Sequence, residues 1–367
     1  MSKAAELAAL IGGQKSLSNK NIIKNGAMVV SQRSTSVTGD TAGGSVKTVD
    51  RMNPEMNAAG TWTQSQSTDV PSGQGFVNSF KLDCTTADAS LAANDYVAFG
   101  HRIEGLDLQR LNYGTSGAKN SVLSFWVKTN KTGNYVVGIQ NVITGGTHKN
   151  CSFLYTVSQA NTWQKIEFPV PADTAAAFDN DANQTAIIYW WLAVGSNYNS
   201  GTLRTTWTNN VSADFAAGLN VNLADSTDNE WYITGIQWEE GDVATAFEHE
   251  DFSTTLAKCQ RYYSQYDATN GGWVGSGYYY NTTAAEVSVR FPQRMRAAAS
   301  ISSGGTIGDL VVQRAGTSNA GTSSISVSTP TTVAYKLTVN ADSSSTAGYG
   351  TNIYVQNTVI LKHDAEL

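Results

Sequence analysis

Two kinds of residue in this chain carry usable chemistry: carboxylates and flat aromatic rings. Hydrolysis of a glycosidic bond needs two carboxyl groups on either side of it. Glu239 and Glu240 are adjacent, and neighbours in a strand point to opposite faces, so they do not form such a pair. Asp179 and Asp181 share parity but bracket Asn180 in a stretch that reads as a turn. The four histidines, His101, His148, His249 and His363, are scattered without metal-site spacing, and no serine sits in a G-x-S-x-G elbow. Catalysis would have to come from distant residues meeting in space. The rings are better placed. Trp273, Tyr278, Tyr279 and Tyr280 are flanked by Gly271, Gly272, Gly275, Gly277 and Asn281. Rings stack on the apolar faces of pyranoses, and glycine neighbours leave those faces uncovered. The competing reading is that alternate tyrosines fill a core. Trp190 and Trp191 are assigned to a core.

Composition narrows the partners. Of 367 residues 15% are charged, well below the roughly 25% of an ordinary globular protein. Polarity comes from Ser, Thr, Asn and Gly, and 33 glycines against 6 prolines favour short strands joined by tight turns. A poorly charged surface suits contact with copies of itself or with other proteins. A net charge of −6 leaves no basic footprint for nucleic acid. No apolar run approaches the roughly 20 residues that span a bilayer, and Glu6 interrupts the short N-terminal apolar run, a poor secretory signal. Cys84, Cys151 and Cys259 are odd in number and far apart, which reads as three free thiols in a protein made in a reducing cytoplasm.

The elements that must position the rings follow from periodicity. Ala4, Leu7, Ala8 and Ile11 recur at helical spacing, Leu10 widens the stripe, and Gly12-Gly13 ends it. So short a helix is marginal alone; it is expected to serve in attachment or self-association. From Asn21 the chain turns β in character, with a turn at Asn25-Gly26, and residues 38–75 read as long loops. Leu123, Phe125 and Val127; Tyr135, Val137 and Ile139; and Phe153, Tyr155 and Val157 alternate with polar neighbours. Ile187 to Val194 is apolar on both parities, as in a central strand covered on both faces.

The pivotal stretch is Asn229 to Tyr263. Trp231 and Ile233 share one parity and Ile236 and Trp238 the other, with Gly235 at the change, where a bulge costs least. A short helix follows, with Ser253 as N-cap, Leu256, Cys259 and Tyr263 on one face, and Lys258 and Arg261 at its end. Beyond it, Val287 to Phe291, Val333 to Val339 and Ile353 to Leu361 alternate again. The expectation is an all-β protein: an N-terminal attachment helix and linker (1–20), a large jelly-roll β-sandwich (21–252), a joint helix (253–263) and a smaller β-sandwich or barrel (264–367).

Several segments together resemble a family. NIIKNGAMVVSQR, LSFWVKTNKTGNYVV, NTWQKIEFPVPADT, WLAVGSNY and YITGIQWEEGDVATAFEHEDFSTTLAKCQRYY are similar to bacteriophage virion proteins. These are tail-fibre and receptor-binding proteins built on a jelly roll like that of carbohydrate-binding modules. The resemblance covers roughly residues 21 to 266. It implies a virion protein, usually a homotrimer, that meets other virion proteins and often host-surface glycan, and it supplies no catalytic site. Related carbohydrate-binding modules often hold a structural calcium with an acidic residue in their last strand, where this chain has Thr234 and Gly235; no cofactor or metal is expected. The preferred reading is a non-enzymatic fibre or surface appendage that engages glycan through Trp273 and Tyr278 to Tyr280, with Leu7, Leu10 and Ile11 in attachment or self-association. A capsid-decorating or tail-adaptor protein is the alternative. A polysaccharide depolymerase lacks the long repeats expected of one.

Overall fold

The computed structural model describes residues 19–269, 272–314, 319–355 and 358–367, so the expected N-terminal helix, with Leu7, Leu10 and Ile11, lies outside the described residues. The protein is all-β, in two compact units that divide in sequence between Phe252 and Ser253. No helix among the described residues is long and apolar enough to cross a membrane.

The first unit is a jelly-roll sandwich of two antiparallel sheets. One runs, in spatial order, β1 (Ser36–Asp40), β3 (Thr61–Ser67), β4 (Ser79–Thr86), β12 (Glu230–Glu240), β6 (Ser121–Thr129) and β9 (Gln164–Val170). The other runs β11 (Thr208–Asn209), β8 (Lys149–Val157), β7 (Gly133–Asn141), β10 (Gln184–Val194), β5 (Tyr96–Glu104) and β2 (Met52–Asn57). Trp62, Phe80, Phe99, Phe125, Trp190, Trp231 and Trp238 are fully buried between them.

Strand β12 solves its parity conflict with a bulge. Its register against β6 shifts between Thr234 and Gln237, and Gly235 takes φ +62°. The shift turns all four residues, Trp231, Ile233, Ile236 and Trp238, into the core. A Cβ at Gly235 would lie 2.5 Å from the Phe76 ring, so both conformation and space require glycine. The backbone freed at the bulge is met by the N-terminal segment. Ile236 N–H donates to Gly26 O (3.0 Å) and Ile22 N–H to Trp238 O (2.8 Å). The Asn21 amide donates to Ile236 O (3.0 Å) and accepts from Trp238 N–H (3.1 Å). Asn25, at φ +60°, and Gly26 form the expected turn.

That segment corrects one expectation: residues 19–35 contain no strand. Their Ile and Val residues are apolar because Ile22, Ile23, Met28 and Val30 are buried from a turn-rich segment. Residues 38–75, expected as loops, contain β2, β3 and most of β1. Strand β3 is built largely from Thr, Ser and Gln, and Gln64 is buried with partners in Thr48 and Asp40. Strand β10 is central, between β7 and β5. Trp190 packs inward against Phe99 and Phe125, while Trp191 faces the other way beneath Tyr96, Tyr198 and Phe215.

The second unit carries a six-stranded antiparallel sheet, β17 (Leu310–Val312), β20 (Gly350–Val355), β14 (Trp273–Tyr279), β15 (Ala284–Arg290), β19 (Ala334–Ala341) and β18 (Thr322–Ser328). A three-stranded sheet, β13 (Tyr263–Thr269), β21 (Thr358–Asp364) and β16 (Ser300–Gly305), completes it around a core that includes Tyr279, Val287, Tyr335, Leu337, Ile353 and Leu361. The helix spans Phe252–Gln260, one residue earlier than the expected cap, and ends before Tyr263. Thr255 and Cys259 are its buried residues; Leu256, expected on that face, is half-buried and Tyr263 belongs to β13. Ile353 to Leu361, expected as one alternating strand, is two strands in different sheets. All three cysteines are buried, and none forms a disulfide.

Candidate functional site

The second unit's six-stranded sheet has a core face and an outer face, and period-2 alternation, reset along β14 by a register shift between Trp273 and Gly275, decides which rings reach solvent. Along β14, Val274 and Tyr279 are buried while Trp273, Ser276 and Tyr278 are exposed. Trp273 is 54% exposed, Tyr278 49% and Tyr280 62%, whereas Tyr279 is 1% exposed. Tyr279 is therefore removed from the expected stacking set: its ring belongs to the core, and burial raises its hydroxyl pKa.

The exposed rings gain partners from strands far away in sequence. Trp273 lies opposite Tyr354 on β20, with ring centroids 5.4 Å apart and planes at 50°. Ser276 lies opposite Asn352, and its hydroxyl donates to Asn352 Oδ1 (2.7 Å). The Asn352 amide in turn donates to Gln313 Oε1 (2.9 Å). Tyr278 lies between Gly350 and Glu286. Its hydroxyl donates to Glu286 Oε2 (3.3 Å), and Lys336 Nζ donates to Glu286 Oε1 (2.7 Å). That last bond raises the Lys336 pKa above its ordinary value. Tyr354 is braced by the Asn319 amide (2.7 Å). A groove of about 540 Å³ is lined by Ser276, Gly277, Gln313, Arg314, Gly350, Thr351 and Asn352, within the size range of small-molecule sites.

This is a surface of flat rings beside a row of neutral amides and a hydroxyl. It can stack on apolar ring faces and exchange hydrogen bonds with hydroxyl groups. Tyr354, Ser276, Asn352, Gln313, Glu286 and Lys336 were missed in the sequence. Only the strand alternation of β14 hints at Ser276; Tyr354 and Asn352 join through pairing with the distant β20, Gln313 through Asn352, Glu286 from the neighbouring β15 and Lys336 from β19. A cleft of about 410 Å³ in the first unit, walled by Phe153, Pro169, Val170 and Pro171, offers no exposed ring, since Phe153 is buried.

A serine hydroxyl meets a histidine ring in the second unit, but away from solvent. Ser264 Oγ and Tyr335 OH contact the two ring nitrogens of His363 (3.0 and 3.1 Å), but all three residues are buried. Burial lowers the His363 pKa to about 4. Glu239 is buried and accepts from Gln237 and Thr245, whereas Glu240 is exposed and pairs with Lys119. The donors at the position where related modules hold calcium do not fit a cation: the Thr234 hydroxyl donates to Asn78 O (2.8 Å), and Gly235 has no side chain. No group of three or more His, Cys, Asp or Glu among the described residues is arranged to hold a metal.

No protein-family model matches the chain, and no curated protein does. Among solved structures it is similar to the enzymatically active domain of bacteriophage CBA120 tailspike protein 4, at 13% identity and TM-score 0.32. That match covers 60% of this chain and 22% of the tailspike chain. It is similar to the family 11 carbohydrate-binding module of the cellulase Lic26A-Cel5E of Clostridium thermocellum (12% identity, TM-score 0.27, 55% of this chain and 96% of that one). A third is the xylan-binding domain CBM22-2 of Paenibacillus barcinonensis Xyn10C (13% identity, TM-score 0.28, 51% and 91%). Likenesses this distant assign the chain no function.

Proposed function

We propose that this is a non-enzymatic bacteriophage virion protein, a tail fibre or surface appendage, whose second unit binds glycan on the host surface. The observation that carries the glycan half is the exposed Trp273–Tyr354 ring pair beside the Ser276–Asn352–Gln313 row. Rings grouped at the surface form the kind of apolar patch that marks an interaction site. Neutral amides and hydroxyls next to it suit a polyhydroxylated partner rather than an apolar one. The virion half rests on the resemblance of the segments between Asn21 and Tyr263 to phage virion proteins. The low charge suits an assembled particle, and a homotrimer anchored through Leu7, Leu10 and Ile11 is the assembly we favour.

The test is binding of the purified protein to polysaccharide extracted from the host surface, by biolayer interferometry, with Trp273→Ala in parallel. Wild type is expected to bind and the variant to bind at least tenfold more weakly. No binding by wild type to host polysaccharide or cells, together with a particle location, would favour a purely structural role.

A further inference from the structure

We infer that the ligand is a linear oligosaccharide long enough to bridge two stacking stations, not a single terminal sugar. This deepens the glycan reading and rests on it. The stations are read from register. Trp273 lies across from Tyr354, and Tyr278 lies across from Gly350, on the same β20 strand. Four residues of strand separate Tyr354 from Gly350, a spacing of roughly 13 Å at about 3.3 Å per residue. One pyranose ring stacks on one aromatic ring and cannot touch both stations.

What lies between the stations fits a chain. Ser276 and Asn352 sit midway, as the next outward pair of the ladder, and the groove opens beside them. Its floor at the Tyr278 end, Gly350, is bare: a Cβ there would meet nothing nearer than Gly277 O at 4.0 Å. The hydrogen bonds within the row run from Ser276 to Asn352 and from Asn352 to Gln313. They leave the lone pairs of Ser276 Oγ and the amide hydrogens of Gln313 for hydroxyls of the middle sugars. At the far station the Tyr278 hydroxyl and the Lys336–Glu286 pair supply further polar contacts. Rings at both ends, a polar row between, and an empty floor describe a track along β14 and β20.

The experiment uses size-fractionated oligosaccharides, from monosaccharide upward, made by partial acid hydrolysis of the host polysaccharide that binds the full chain. Dissociation constants are measured by titration calorimetry for wild type, Trp273→Ala, Tyr278→Ala and Gly350→Leu. Affinity of wild type is expected to rise at least tenfold across the lengths that first span both stations, then to level off. Each ring variant is expected to hold its fold and to lose that step, binding long fragments as weakly as short ones. Gly350→Leu, at an ordinary backbone conformation with open space above it, is expected to do the same by covering the floor beside the intact Tyr278 ring. Equal affinity for short and long fragments, or a length step that survives all three substitutions, would overturn the bridging track while leaving glycan binding intact. Failure of every fragment and of the parent polysaccharide to bind would overturn both.

Discussion

Removing the Trp273 ring separates a binding residue from a core residue in one comparison. An aromatic side chain presents about 200 Å² of surface, and Trp273 is 54% exposed, so about 100 Å² remains for a ligand to cover. At about 25 cal/mol per Å², full coverage contributes about 2.5 kcal/mol and coverage of one ring face about half of that. Trp273→Ala is therefore expected to raise the Kd for host glycan by roughly 10- to 70-fold. Its effect on the fold is confined to the contact with Tyr354, about 0.5–1.5 kcal/mol. Tyr279→Ala, one parity step from Tyr278, is expected to cost about 3–5 kcal/mol of stability, as for other buried aromatics. Thermal unfolding and calorimetric titration on the same two variants are the assay. Should Trp273→Ala destabilise as much as Tyr279→Ala, or leave glycan affinity untouched, the division of β14 into a core face and a binding face would be wrong.

Three further outcomes are expected. Gly26→Ala places a Cβ 2.1 Å from Ile236 O and should lower the melting temperature of the first unit, with a ΔΔG of about 2 kcal/mol or more in urea titration. Buried His363, held near pKa 4, takes up its proton more readily in the unfolded chain, whose ordinary value is about 6.5. The second unit should thus keep its full His363-linked stability above about pH 7 and lose up to about 3 kcal/mol as pH falls from 6.5 to 4, a slope that His363→Asn removes. Finally, Leu7→Asp with Ile11→Asp should leave the melts of both β-units unchanged but abolish trimerisation by native mass measurement and incorporation into particles. An early melt would instead make that segment part of a core.

Much of the first unit was legible because its strands obey simple patterns. Ile187 to Val194 is apolar on both parities and lies centrally, and the parity break at Gly235 is the bulge itself. Strands β1 and β3 were illegible because their inward residues include Asp40 and Gln64, polar groups satisfied by each other inside the sandwich. The apolar run after Asn21 misleads for the opposite reason: it is buried by plugging the bulge, not by sheet pairing. In the second unit Ile353 and Leu361 share parity by coincidence across a change of sheet. At the candidate site, Trp273 and Tyr278 were visible as ring types, but adjacent tyrosines cannot all face one way, and only a firm β14 register removes Tyr279. Tyr354, Asn352 and Gln313 arrive through antiparallel pairing with β20, information that no local window contains.

The most direct measurement is the indole N–H resonance of each tryptophan in ¹⁵N-labelled protein, assigned by Trp→Phe substitution and followed while host-surface polysaccharide is added. The account predicts that the Trp273 signal shifts with ligand, that the buried Trp62, Trp190, Trp231 and Trp238 signals stay fixed, and that the Asn352 and Gln313 side-chain amides move with Trp273. Ligand-dependent shifts confined to tryptophans of the first unit, or binding with the Trp273 signal unmoved, would contradict it.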